Sequence, residues 1–272
     1  MPSANEQYDL VFSLGQACPC SMTLRMAGLQ FASFPLDWVT GGTMVQRVKL
    51  VASHFADWFE MEDFEYHGRN PKNGLGVFTN RRTGFRHPHD FPDAPVETEF
   101  DKVRAKYLRR ETRLYERIAA SSRVLAVYIT RPDETPTDIQ ILESARRILS
   151  GAFPNATFDL LHFVHREGVS FANRNVLHPT EHVTQIIFDY RDPERDVRME
   201  DTAEAIKSLG LAAKDWRTDE EKKAFTRRKE QEAQRRKSDF KLKQKMEKYG
   251  ATTRLGLLWA RLKRHLGLGR TK

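Results

Sequence analysis

Val124-Leu125-Ala126-Val127-Tyr128-Ile129-Thr130 and Thr157-Phe158-Asp159-Leu160-Leu161-His162-Phe163-Val164-His165 are two apolar runs of strand length. One helical pattern, residues 137–150, separates them. A third apolar run at 183–190 and a helical pattern at 201–209, acidic at its start, continue the alternation. Strands alternating with helices predict an α/β fold: a mostly parallel sheet with helices on both faces. Working backwards, Tyr8-Asp9-Leu10-Val11-Phe12-Ser13-Leu14 reads as a further buried strand, expected in the same sheet.

The intervening chain is more varied. Pro19 suits the first turn of a helix, Met22, Leu24, Met26 and Leu29 supply its apolar residues, and Gly28 would end it. Phe34-Pro35-Leu36-Asp37-Trp38-Val39 is an aromatic loop that runs into Gly41-Gly42. Met44, Val48, Val51, Phe55 and Trp58 recur at helical spacing across 43–59. Residues 60–98, rich in Gly, Asn, Pro and aromatics, read as an insertion of loops and short hairpins. An arginine-rich helix follows over 99–121.

The net charge of +8 is unevenly spread. Residues 214–272 hold 20 Lys/Arg against 8 Asp/Glu, a net +12, which leaves 1–213 at -4. The chain therefore divides into an α/β domain, 1–213, and a basic helical extension, 214–272. Within the extension, Leu255, Leu258, Trp259, Leu262 and Leu266 form one apolar stripe on a short amphipathic helix at 252–268. That stripe suits an anionic membrane surface, and the alternative is a flexible, solubilising extension. Aromatics spaced for base stacking are scarce, which argues against nucleic acid as a partner. Mean hydropathy is -0.63, and no apolar run is long enough to span a bilayer. The first residues carry no secretory pattern, and only two cysteines occur, two positions apart. A reducing cytosol is the expected location, with a peripheral place at the inner membrane face if 252–268 docks there.

Ser13-Leu14-Gly15-Gln16-Ala17-Cys18 is the sharpest chemical feature. A strand ends, a glycine turns the chain, and a cysteine stands at a helix start. The N–H groups and positive dipole end of the helix would stabilise a thiolate or hold an oxyanion. The alternative is a small hydrophobe packed beside a tight turn. Counting excludes rivals. A phosphatase loop needs Cys, five residues, then Arg, but six residues separate Cys18 from Arg25 and four separate Cys20 from it. Gly15 alone does not make a dinucleotide loop, and Cys18-Pro19-Cys20 is not a zinc motif.

A cysteine nucleophile needs a histidine, itself oriented by a carboxylate or amide. Arg86-His87-Pro88-His89-Asp90-Phe91 offers two. If the piece is extended, His87 and His89 share one side and Asp90 takes the other. Asp37 is a second candidate for the acid. A metal held by His87 and His89, with or without Asp90, lacks an obvious complete ligand set, so no metal or other cofactor is expected. Arg109, Arg110 and Arg113 could bind an anion by fork-like contacts, or form a solvated helix face.

The ordered set Ser13-Leu14-Gly15…Cys18, Gly28-Leu29, Pro35-Leu36-Asp37-Trp38, His89-Asp90-Phe91 and Lys106-Tyr107-Leu108-Arg109-Arg110-Glu111-Thr112-Arg113 resembles the bacterial family described as putative papain-like cysteine peptidases. The likeness covers about residues 7–216. It implies Cys18 as nucleophile, His89 as base and Asp37 or Asp90 as acid, with Ser13 and Gly15 shaping the turn. Leu36 stands where the family more often has phenylalanine, and Cys20 is not carried over as a site. Cysteine before histidine agrees with papain-like enzymes, whereas the strand–helix alternation fits a doubly wound layer better. The resulting expectation is a cytosolic cysteine hydrolase or acyl-transfer enzyme acting on a peptide, acyl or glycan-linked substrate. The rival is a non-catalytic or transferase protein of surface-polysaccharide assembly, in which Arg109, Arg110 and Arg113 hold a phosphorylated sugar.

Overall fold

The computed structural model describes residues 7–16, 18–71, 73–92 and 95–248. Two compact units divide the chain, Met1–Asp215 and Trp216–Lys272. In the first, β1 (Leu10–Gly15) leads into α1 (Cys18–Met26), a 3-10 turn at Pro35–Trp38, and α2 (Met44–Ala52). Three strands follow, β2 (Phe64–Arg69), β3 (Gly76–Asn80) and β4 (Arg86–Phe91), then α3 (Phe100–Ala119). The regular part is β5 (Arg123–Ile129), α4 (Ile139–Ala152), β6 (Thr157–His165), β7 (Asn175–Thr180), β8 (Val183–Phe188) and α5 (Met199–Lys207). The second unit contains α6 (Asp219–Lys248). The amphipathic helix expected at 252–268 lies outside the described residues.

The central sheet runs β1–β5–β6–β8–β7. Its first four strands are parallel, and β7 pairs antiparallel with β8 at the edge. Alternation along the strands separates two cores. Phe12, Val124, Ala126, Phe158 and Leu160 face α2, α3 and α4 through Val48, Leu114 and Leu142. Val11, Leu125, Val127, Leu161 and Phe163 face α1 and α5 through Leu24, Ala205 and Ile206. Since β5 is buried at every residue from Val124 to Ile129, its continuous apolar run is what two covered faces require. Within the 60–98 insertion, β2, β3 and β4 form a separate antiparallel sheet in that order.

Two readings of the sequence need correction. The apolar spacing across 43–59 does not continue as helix: α2 stops at Ala52, and His54, Phe55 and Asp57 take positive φ. Phe55, Trp58 and Phe59 are nevertheless buried. The irregular chain inserts these rings into the core, so the periodicity records burial and not backbone form. The strand β7 is not evident from its polar sequence. Its Pro179 cannot donate to a ladder, which an edge position tolerates.

Candidate active site

Cys18 opens α1 at the carboxyl end of β1, and it is half-buried. Open parallel sheets bind ligands beyond the carboxyl ends of their strands. Cys18, Ser21 and Arg25 lie within one helical face, three and four residues apart. The Ser21 hydroxyl is shared between the carbonyl of Cys18, at 3.2 Å, and that of Asp37, at 3.4 Å. Arg25 donates to the Asp37 carboxylate at 2.9 Å. The Cys18 face of α1 is thereby tied to the Pro35–Trp38 turn. Cys20 points the other way. It is buried, its thiol donates to the Val127 carbonyl at 3.4 Å, and burial pushes its pKa up to about 12. The two cysteines are not joined in a disulfide.

Asp37 is fully buried. Its Oδ2 accepts from Arg25, from Gln30 at 2.7 Å and from the Phe34 N–H at 3.0 Å. Burial outweighs these donors and raises its pKa to about 6. This carboxylate braces α1 against the turn and makes no hydrogen bond to a histidine.

The turn also positions β4. Thr40 and Arg86 exchange main-chain hydrogen bonds of 3.0 and 2.8 Å. Trp38 then lies between Arg25, whose guanidinium is 5.5 Å from the indole, and His89, whose ring meets it edge-on at 6.1 Å. His89 is exposed, and burial of part of its ring lowers its pKa. Its Nδ1 is 3.0 Å from Asn73 Nδ2. The same Asn73 accepts the Leu75 N–H at Oδ1 and donates to the Pro88 carbonyl, which fixes the amide orientation. Nδ1 of His89 is therefore the acceptor, and the ring proton sits on Nε2. His89 is not hydrogen-bonded to Cys18. The cysteine on a helix and the histidine on an antiparallel sheet are linked through Arg25 and Trp38.

The expected separation of His87 and Asp90 onto opposite sides does not hold. Pairing slips between Gly76↔Phe91 and Phe78↔His87, a bulge that resets the alternation. His87 is fully buried, and its Nδ1 lies 3.0 Å from Asp90 Oδ2. Tyr107 donates to the same oxygen at 2.6 Å, and Lys106 to Oδ1 at 2.5 Å. Burial opposes ionisation of Asp90, but His87 and Lys106 outweigh it and hold the carboxyl well below the usual range. Trp58, Phe59, Phe64 and Phe91 surround the His87 ring. This pair is an internal tie between β4 and α3, and a substrate cannot reach His87.

Ser13 is buried and accepts the Gly15 N–H at 3.0 Å, shaping the turn. Gly15 has φ +115°, and a Cβ there would stand 2.3 Å from Arg47 Nη1. On α3, Arg113 is spent on the Ser33 carbonyl at 2.8 Å, and the Arg110 guanidinium lies 5.2 Å from the Tyr107 ring centroid. Arg109 stays exposed. Among the described residues, no three His, Cys, Asp or Glu side chains converge to hold a metal ion, and no helix is long and apolar enough to cross a membrane.

Asn73, Arg25, Trp38 and Arg47 were not singled out for roles in the sequence. Arg47 carried a signal, because it interrupts the apolar stripe of Met44, Val48 and Val51 on α2. Asn73 carried none, since only the hairpin brings it to His89.

The site and fold together define an α/β protein with a thiol at a strand-to-helix turn. Residues 9–168 match the family described as "Putative papain-like cysteine peptidase (DUF1796)", and the chain belongs to that family. No curated protein and no solved structure matches it.

Proposed function

We propose that this protein is a cysteine-nucleophile hydrolase, with Cys18 as the attacking group and His89 as its proton acceptor. The observation that carries the reading is the placement of Cys18: half-buried at the first residue of α1, at the carboxyl end of a parallel strand, on the face braced to the turn that bears Trp38 and His89. The Cys18 thiolate would attack a carbonyl carbon, the helix N–H groups would stabilise the oxyanion, and water would later release the acyl group from sulfur. His89 would take the thiol proton at Nδ1, the nitrogen with the lone pair, in place of the Asn73 hydrogen bond, and return it to the leaving group. Asn73, which donates to Nδ1 of His89, would give up that bond as the thiol approaches, and neither Asp37 nor Asp90, whose oxygens serve other donors, would orient the ring. Catalytic hydrogen bonds of this kind often tighten only when substrate binds, so β4 would carry His89 towards Cys18 on binding. Peptide and related acyl bonds are the substrate class, and the cytosol is the proposed location.

Alkylation followed by peptide mass mapping tests this. Cys18 should react in the folded protein with a pH midpoint below ~8.5, the value for an ordinary thiol, and His89→Ala should slow it. A Cys18 that labels only on denaturation, or only with an ordinary midpoint, would refute the proposal.

A further inference from the structure

Arg47 is fully buried on α2, yet among the described residues it meets no carboxylate within ion-pair distance. Its hydrogen bonds all go to main-chain carbonyls. Nη1 donates to Leu14 at 2.9 Å, and Nη2 to Val39 at 3.2 Å, Gly41 at 2.5 Å and Gln16 at 3.5 Å. Nε donates to Gly41 at 3.1 Å. The plane of the guanidinium lies against the Phe85 ring, 5.0 Å from its centroid. Arginine suits this task, because its planar fork satisfies several carbonyls at once and stays charged when buried. A buried cation without a counter-ion is costly.

The two segments it joins are those of the candidate site. Leu14 and Gln16 belong to the turn that delivers Cys18, and Val39 and Gly41 follow Trp38. Gly15 lies against the guanidinium so closely that no side chain fits between them. Resting on the reading of Cys18 as nucleophile, we propose that Arg47 is a positioning residue. It fixes the strand-to-helix turn before Cys18, and its charge favours the thiolate there. The remaining groups that bear on this region are Tyr128 and exposed Glu134 by β5, Cys20 on α1, and Arg25, Asp37 and His89 on the side of the Pro35–Trp38 turn. Of these, Glu134 is bonded to the Gln16 amide at 2.6 Å and reaches solvent, so it screens Arg47 only in part.

The test is the pH dependence of Cys18 alkylation in Arg47→Gln and Arg47→Lys, with protection of Cys20 as the internal check of folding. A single nearby charge in a half-buried setting is worth roughly one pH unit. Arg47→Gln should raise the Cys18 midpoint by about that much while Cys20 stays protected. Arg47→Lys, which keeps the charge but cannot span the carbonyls, should keep the midpoint and slow the reaction with a peptide-like electrophile. A folded Arg47→Gln with the wild-type midpoint would overturn the proposal. An ordinary midpoint in the wild type would instead sink the nucleophile reading itself. If the variants unfold, the Arg47 side-chain nitrogens of the wild type decide by NMR. They should titrate with the Cys18 midpoint, and their failure to do so would overturn the assignment.

Discussion

Replacing Asp37 by asparagine should change the pH dependence of stability in a definite direction. Asp37 is fully buried, and its pKa rises from 3.8 to about 6 because burial penalises the carboxylate more than Arg25, Phe34 and Gln30 reward it. Between those values the folded protein holds a proton that the unfolded chain has released. Stability therefore falls as pH rises through this window, by 1.36 kcal/mol per unit, or roughly 3 kcal/mol in all. Below pH 4 both states are protonated, and above about pH 6 both are ionised, so the curve flattens at each end. Asparagine has nearly the same shape and no proton to release. The difference in unfolding free energy, wild type minus Asp37→Asn, should accordingly decline by roughly 3 kcal/mol from pH 4 to pH 7. Urea denaturation at fixed ionic strength, with equal m values in both proteins, measures it. Other titrating groups cancel in the difference. A flat difference, or one that rises with pH, would show that Arg25 and Gln30 fully compensate the buried carboxylate.

Burial pushes His162 in the opposite sense, down to about 4, so its contribution is lost as pH falls from ~6.5 towards that value. His162→Gln should flatten that acid-side loss of roughly 3 kcal/mol, and an unchanged acid limb in urea titrations would count against it. Gly15→Ala should cost about 3–5 kcal/mol, through the positive φ and displacement of the charged Arg47 hydrogen bonds. A shift in the urea midpoint worth less than ~1 kcal/mol would mean that the turn adjusts freely. Asn73→Asp gives His89 Nδ1 an anionic acceptor, so it should raise the His89 pKa by about one unit or more in an NMR titration of the ring. No rise would mean that the residue 73 side chain does not hold His89 in solution.

Most of the central sheet is legible in the sequence because its inner strands are buried on both faces, and that burial is written as unbroken apolar runs at 124–130 and 157–165. Cys18 was legible for a related reason: strand, glycine and helix start are consecutive in the chain. What adjoins Cys18 was not. The side of β4 on which Asp90 lies depends on a bulge, and a bulge is set by the partner strand. His87 and His89 sit two residues apart in one motif, yet one is entombed among aromatics and the other exposed, a distinction that sequence spacing cannot carry.

The sequence by itself determined the alternation of strands and helices and the residue at the helix start, since both follow from local order and hydrophobic pattern. Only the tertiary structure decided that Asp37 braces Arg25, that Asn73 holds His89, and that Arg47 ties Leu14 and Gln16 to Val39 and Gly41. Each of these contacts joins segments whose separation along the chain says nothing of their distance in space. Main-chain carbonyls, which every residue carries, leave no mark in the sequence to show which of them a buried guanidinium will find.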